Sequence, residues 1–137
     1  MLTIRGICKS FEGRPVLEDV SFDFPEAAVT ALRGPSGCGK TTLVNIILGL
    51  LAPDAGEVRL PANARTAAVF QEDRLIEHFS AARNVRLTAP ASVTDEQIRS
   101  ALSELGLAQE GEKRVSEFSG GMRRRVAVIR AALFQPQ

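Results

Sequence analysis

The residues best suited to chemistry form a glycine-rich stretch near the end of the first third of the chain. Gly34, Gly39, Lys40 and Thr41 match the pattern G-x-x-x-x-G-K-[ST]. Glycines in such a loop let consecutive backbone N–H groups converge on a phosphate, and a following helix adds the partial positive charge of its first turn. A lysine at this position reaches the terminal phosphates, and the next hydroxyl helps to hold Mg²⁺. The stretch therefore predicts a phosphate-binding loop.

A second glycine-rich segment, with the adjacent residues Gly120 and Gly121, lies in the last third of the chain. Ser119 is placed as an N-cap, so the two glycines leave N–H groups bare at the positive end of a predicted helix. Taken alone, the segment also fits a capped amphipathic helix with a solvated run of arginines, Arg123, Arg124 and Arg130. Its apolar stripe repeats at i, i+4, i+7 and i+11 and consists of Met122, Val126, Ile129 and Leu133.

Alternating and apolar runs predict the elements that carry the first loop. Residues 2–5 and 20–24 alternate apolar and polar side chains, which indicates strands with one buried face. Residues 28–32 form a short, mostly apolar run that favours a buried strand. Residues 43–51 are apolar nearly all round, as in a helix packed in an interior. The predicted order is strand, glycine-rich loop, buried helix.

Composition narrows the class of protein. The chain has 137 residues, 45% of them hydrophobic and 24% charged, with a formal net charge of +1. These fractions are typical of a soluble globular protein, and the near-neutral charge argues against binding nucleic acid or membranes through a basic surface. Cys8 and Cys38 are the two cysteines, so neither a disulfide framework nor a zinc site is indicated. No signal peptide or membrane span is recognised, so we expect any membrane association to come through a partner.

With these features in order, the sequence resembles the ATP-binding subunits of ABC transporters. Residues 119–125 resemble the family's signature motif, and residues 34–42 resemble its Walker A motif. Residues 69–71 followed by residues 84–85 resemble the Q-loop and its helical segment, and Phe11 occupies the place of the aromatic A-loop residue. P-loop kinases and small GTPases are disfavoured because neither has the second loop.

The resemblance implies an α/β fold, that of a P-loop NTPase of ABC type, with a mixed sheet around the Walker A helix and a small helical subdomain. It divides the single, C-terminally incomplete domain into antiparallel strands and Walker A core (1–71), helical subdomain (72–117), and signature loop and helix (118–137). Within the subdomain, Thr94 and Gln97 form a capping box that predicts a helix start. Gly106 is expected to follow that helix as its C-cap, after an apolar face of Ile98, Leu102 and Leu105.

The resemblance also implies ATP and Mg²⁺ as ligands and an ABC-type ATPase as the kind of enzyme. Lys40 and Gln71 are then the candidate catalytic residues, and Thr41 and Gln71 are the candidate metal ligands. Phe11 is expected to stack on adenine, although the family more often has tyrosine there. The full set of expected nucleotide-binding residues is Phe11, Gly34, Ser36, Gly37, Cys38, Gly39, Lys40, Thr41, Thr42, Ser119, Gly120 and Gly121.

Partners follow from the same resemblance. A second ATP-binding subunit is expected to pair head to tail, so that Ser119, Gly120 and Gly121 contact the γ-phosphate held by the partner. Transmembrane permease subunits are expected as well, which implies a cytoplasmic location, peripheral on the inner face of the cell membrane. Leu75, Ile76 and Phe79 are expected either to meet the permease or to pack the subdomain. No nucleic acid is expected, since a DNA-maintenance ATPase of this type needs a long coiled-coil insertion after Gln71.

In the family, a Walker B strand ending in Asp-Glu directly follows the point that Gln137 occupies, and no such run occurs in this sequence. We therefore expect the chain to be the front part of a larger domain, with an open apolar sheet edge and little hydrolysis on its own. The predicted function is ATP binding, with hydrolysis in the complete domain driving membrane transport, most like nitrate, sulfonate or taurine importers. The alternative is a nucleotide-binding or interaction module without turnover.

Overall fold

An antiparallel sheet with one helix on it and a group of three helices make up the structure, a computed structural model that describes residues 1–134. Contacts separate the chain into two units, Met1–Ala64 and Arg65–Gln137. Helices and strands are both present, as the α/β class predicts, and no helix among residues 1–134 has the length and apolarity needed to cross a membrane. The elements are β1 (Leu2–Phe11), β2 (Arg14–Phe24), α1 (Lys40–Ile47), β3 (Ala55–Arg59), α2 (Ala81–Arg86), α3 (Asp95–Glu104), a 3₁₀ turn (Val115–Glu117) and α4 (Gly120–Leu133).

The first unit is built on a hairpin. β1 and β2 pair antiparallel across a turn at Glu12 and Gly13, both of which have positive φ. β3 pairs antiparallel with the other edge of β1, so the strand order is β2-β1-β3. One sheet face packs on α1, which places α1 and the loop before it against the hairpin. The buried core of this unit is Ile4, Ile7, Leu17, Leu43 and Ile46.

The prediction of a buried strand at residues 28–32 is wrong for this structure. These residues form no strand, Val29 is fully exposed and Leu32 is half exposed. An apolar run adopts a buried strand only when neighbouring strands satisfy its backbone hydrogen bonds and cover both faces. Within residues 1–134, no strand pairs with this segment.

The helix predicted after the glycine-rich loop is present, but it is covered on one face only. α1 spans Lys40–Ile47, where Leu43 and Ile46 are buried. Val44 is 44% exposed and Leu50, beyond the helix end, is 59% exposed. The expected all-round burial is wrong because the sheet supplies a single packing surface.

In the second unit, α2, α3 and α4 surround a separate apolar core. α3 begins at the predicted capping box, in which Thr94 Oγ1 accepts from the Gln97 N–H and Gln97 Oε1 accepts from the Thr94 N–H. Gly106 follows the helix in the left-handed conformation, at φ +71°. Both ends of the helix therefore confirm the sequence prediction. The buried residues of this core are Ala81, Val85, Val93, Ile98, Leu102, Leu107, Val115, Phe118, Val126 and Ile129.

Asn84 is a fully buried polar residue on α2. Its Oδ1 accepts from the Ile76 N–H at 2.8 Å, and its Nδ2 donates to Ile76 O at 3.0 Å and Ser80 O at 3.1 Å. The Asn84 side chain thus forms hydrogen bonds with the backbone at both ends of the turn that leads into α2. Ile76 O and Ser80 O also accept from the N–H groups of Phe79 and Asn84, whereas the Ile76 N–H has the Asn84 side chain as its one acceptor among residues 1–134.

We expect Asn84→Ala to lower the free energy of unfolding by about 1–3 kcal/mol, because the Ile76 N–H loses its acceptor and the fully buried amide is removed. Urea denaturation followed by circular dichroism measures the change. Asn45→Ala is the matched control, since the half-buried side chain of Asn45 makes no hydrogen bond among the described residues. A shift no larger than that of the control would contradict the role given to Asn84.

Candidate functional site

The loop before α1 is shaped by glycines that no other residue replaces without strain. Gly37 and Gly39 have φ of +83° and +90°, in the left-handed region that favours glycine. A Cβ on Gly39 would lie 2.9 Å from Leu17 Cδ2, and one on Gly34 would lie 2.7 Å from Cys38 Sγ. The loop is therefore held close against β2 and closed on itself.

This loop leaves a set of backbone donors without protein partners. Among residues 1–134, the N–H groups of Gly37, Gly39, Lys40 and Thr41 donate to no protein atom, whereas the Leu43 N–H donates to Gly39 O at 2.9 Å. The first N–H groups of a helix have no partner within the helix. Together with the loop amides they form a concentration of partial positive charge suited to an anion.

The Lys40 ammonium is folded over the same loop. Its Nζ donates to Gly34 O at 2.9 Å and to Pro35 O at 2.6 Å, and lies 3.6 Å from Cys38 Sγ. The sequence-predicted residues Ser36 and Cys38 are exposed, as is Thr41 in the first turn of α1, while Thr42 is half-buried. The structure therefore brings the whole predicted loop together, with its charge and its hydroxyls accessible.

Phe11 lies at the end of β1 and is 46% exposed. It pairs with Arg14 across the hairpin, and Val16, two residues further along β2, would contact a Cβ on Gly39. The hairpin thus places Phe11 on the strand pair that supports the phosphate-binding loop. An exposed ring in that position is available for stacking.

The start of α4 has the form expected from the sequence. Ser119 Oγ accepts from the Met122 N–H at 3.3 Å, so Ser119 is the N-cap. In the part of the chain that the structure describes, the N–H groups of Gly120 and Gly121 donate to no protein atom, and both glycines are exposed. Behind them, Phe118 is buried in the apolar core. The predicted stripe is confirmed, with Val126 and Ile129 buried and Met122 and Leu133 packed against them.

Gln71 is exposed, in a bend of the second unit. Its segment is held by arginines of α4: Arg124 Nη1 donates to Phe70 O, and Arg130 donates to Asp73 O at 3.0 Å and Arg74 O at 2.8 Å. The sequence places these arginines off the apolar stripe, but it gives no signal of their partners, which lie more than fifty residues away.

The other arginines of α4 are also bonded, so the run is not simply solvated. Arg123 donates to Val115 O and pairs with Glu77 at 3.1 Å, while Arg125 Nη1 donates to Leu105 O at 2.9 Å. Burial lowers the pKa of the Arg130 guanidinium, and the charge of Asp73 opposes this shift. Because an arginine stays charged in any case, these contacts persist across the neutral range.

Comparison with known proteins places these features in a family. A family model described as "ABC transporter" matches residues 17–137. The spermidine/putrescine import ATP-binding protein PotA of Fusobacterium nucleatum subsp. nucleatum is 32% identical over 98% of this chain and 40% of its own length. The taurine import ATP-binding protein TauB of Yersinia pestis bv. Antiqua is 34% identical over 100% of this chain and 58% of its own length.

A solved structure described as "Structure of ATP binding subunit of ABC transporter" superimposes with a TM-score of 0.87 at 26% identity. The match covers 99% of this chain and 63% of that one. The chain therefore spans less than two thirds of the length of these relatives.

We expect Arg130→Met to loosen the segment that carries Gln71, because two backbone carbonyls lose their charged donor while the apolar stem is kept. Such a loss is worth about 1–3 kcal/mol, so amide hydrogen exchange in residues 70–76 should accelerate by roughly ten- to a hundredfold. Hydrogen–deuterium exchange with mass spectrometry measures the change. Arg99→Met is the control, since the Arg99 side chain has no hydrogen bond or ion pair among residues 1–134. Unchanged exchange at residues 70–76 would contradict the role of Arg130 in holding this segment.

Proposed function

The chain belongs to the ABC transporter family, and on that premise we propose that it binds ATP through the loop of residues 34–42. The observation that carries the proposal is the set of N–H groups at Gly37, Gly39, Lys40 and Thr41 that have no partner among residues 1–134, with the Lys40 ammonium folded over the same loop. Donors and charge converge there without a basic surface, which agrees with a net charge of only +1. A triphosphate satisfies both the amides and the lysine.

The loop residues fit a nucleotide with its Mg²⁺. Gly39, at φ +90° and against β2, holds the turn in place, and Ser36, Gly37, Cys38 and Thr42 line the same turn. The exposed Thr41 hydroxyl supplies a hard oxygen ligand of the kind that Mg²⁺ prefers. When bound, the ion neutralises charge on the phosphate oxygens. Phe11 is proposed to stack on adenine.

Ser119, Gly120 and Gly121 are proposed to contact the γ-phosphate of an ATP held by a second ATP-binding subunit. The support is the capped and exposed start of α4, whose N–H groups have no protein partner among the described residues. Since that phosphate is present in ATP and absent from ADP, the contact makes head-to-tail pairing depend on ATP.

Hydrolysis is proposed for the complete domain. Lys40 would stabilise the charge that develops on the phosphate oxygens, and Gln71 would orient the attacking water or hold Mg²⁺. Gln71 is exposed on a segment whose backbone is fixed by Arg124 and Arg130. A mobile bend would position a water poorly, so the hydrogen bonds from these two arginines support this role.

We further propose that the chain acts with transmembrane permease subunits at the inner face of the cell membrane, powering import. The relatives named for taurine import and for spermidine/putrescine import support this. Taurine is a zwitterion and the polyamines are cations, yet the two relatives match this chain at 34% and 32% identity. Cargo is therefore proposed to be selected by the permease side. The division into residues 1–71, 72–117 and 118–137 is kept as the functional proposal.

Removing the lysine tests the nucleotide site directly. We expect Lys40→Ala to weaken binding of ATP with Mg²⁺ by about ten- to a hundredfold, because a charged hydrogen-bond donor is worth about 1.5–3 kcal/mol. Isothermal titration calorimetry on the 137-residue chain measures the affinity. Lys113→Ala is the matched control, since Lys113 pairs with Glu110 in the second unit. Equal affinity of Lys40→Ala and the unaltered chain would overturn the site.

Charge at the start of α4 tests the proposed pairing. A side chain on Gly120 would meet no atom within 4 Å, so Gly120→Asp is sterically accepted and even favours the helix through its dipole. The same carboxylate repels a phosphate. We expect ATP-dependent dimers, measured by sedimentation velocity, to disappear in Gly120→Asp and to persist in the uncharged control Gly120→Ala. Dimers in both variants would argue against a phosphate contact here.

A further inference from the structure

Asp54 lies between α1 and β3, outside the phosphate-binding loop, and contacts the end of β1 through three polar groups. Its N–H donates to Cys8 O at 2.9 Å. One carboxylate oxygen accepts from Lys9 Nζ at 2.6 Å, and the other accepts from the Ser10 N–H at 2.7 Å. These three partners are the residues that directly precede Phe11. A single residue therefore fixes the backbone that leads into the proposed adenine platform.

The pairing of β1 with its neighbouring strands is irregular in the same place. The ladder between β1 and β3 ends at the pair Cys8 and Ala55. On the other edge, the register with β2 shifts on both sides of Lys9. The Ser10 N–H consequently has the Asp54 carboxylate as its partner on this part of the strand, where a ladder carbonyl would otherwise stand.

The charged side chain of Lys9 lies between the Asp54 carboxylate and the Phe11 ring. The Lys9 side chain is only 14% exposed, and its Nζ, bonded to Asp54, lies 5.6 Å from the centroid of the Phe11 ring. The hydrogen bond from Lys9, followed by that from the Ser10 N–H, holds the pKa of Asp54 below its ordinary value. The carboxylate is therefore ionised, and able to accept both bonds, throughout the neutral range.

We propose that Asp54 is a positioning residue for base recognition: its contacts with residues 8–10 hold the Phe11 ring in place to stack on adenine. The inference rests on the proposed function, in which Phe11 stacks on the base and residues 34–42 bind the phosphates. Asp54 acts through Phe11 and needs no contact with the nucleotide. Its effect falls on the affinity for the base and leaves the affinity for the phosphates unchanged.

Two ligands separate these affinities on the 137-residue chain. ATP, titrated with Mg²⁺, engages base and phosphates, whereas inorganic tripolyphosphate engages the phosphate loop alone. We expect Phe11→Ala to weaken ATP binding about tenfold, the size of losing one base–aromatic stack, and Asp54→Ala to weaken it about fivefold. Neither change should alter tripolyphosphate binding. The double variant should bind ATP no more weakly than Phe11→Ala, because both changes remove one interaction.

Asp23→Ala is the matched control. The Asp23 carboxylate pairs with Arg5 in the same sheet and is 51% exposed, close to the 47% of Asp54. It contacts none of residues 8–10, so we expect both affinities to stay unchanged. Asp54→Asn retains an oxygen for the Ser10 N–H and loses the charge opposite Lys9, and it should give a smaller loss than Asp54→Ala. Retained tripolyphosphate binding shows that each variant is folded.

The possible failures are distinguishable. If Asp54→Ala weakens ATP and tripolyphosphate equally, or adds its loss to that of Phe11→Ala, Asp54 is not a positioning residue for the ring. If Phe11→Ala leaves ATP binding unchanged, the platform is elsewhere and the inference falls while ATP binding stands. If the unaltered chain binds tripolyphosphate but shows no preference for ATP, base recognition itself is refuted. If it binds neither ligand, the proposed function fails and the inference fails with it.

Discussion

The rest of this structure depends on backbone N–H groups that have no protein partner among the described residues. A buried donor without an acceptor costs about 1–3 kcal/mol, so such groups must face water or a ligand. Residues 34–38 of the loop before α1 meet this condition by lying at the surface, whereas Gly39 is buried against β2. The loop keeps its shape because Gly37 and Gly39 accept positive φ. A bound phosphate supplies the missing acceptors, so ligand binding stabilises the loop as well as filling it.

α4 carries two features of the candidate site on one helix. Its first turn exposes the N–H groups of Gly120 and Gly121, and its later turns hold the segment of Gln71 through Arg124 and Arg130. Under the proposed pairing, any shift of this helix that follows from a contact at its first turn would carry those arginines with it. The contacts then provide a physical connection, within the second unit, between the start of α4 and the position of Gln71.

Sequence reasoning succeeded where a feature is determined by neighbours along the chain. The Ser119 cap and the Thr94–Gln97 capping box join residues three apart, and both form as predicted. It failed where distant parts decide the outcome. Residues 28–32 have an apolar run but no pairing strand among the described residues, and Arg124 finds its acceptor 54 residues away. Asn84 was missed for another reason: its partners lie only four to eight residues away, but they belong to a turn that periodicity does not reveal.

The motif residues divide between the two units according to the part of the nucleotide that each is proposed to contact. The first unit holds Phe11, Asp54 and the whole phosphate-binding loop, so it contains every group proposed to contact adenine, phosphates and Mg²⁺ within one subunit except Gln71. The second unit holds Gln71 and the glycines of α4, the residues proposed to contact the attacking water and a partner's γ-phosphate. On the proposed function, affinity for the nucleotide resides in the first unit, and sensitivity to its chemical state resides in the second. A change that alters one property without the other is thus a natural consequence of the architecture, since separate apolar cores support the two sets of residues.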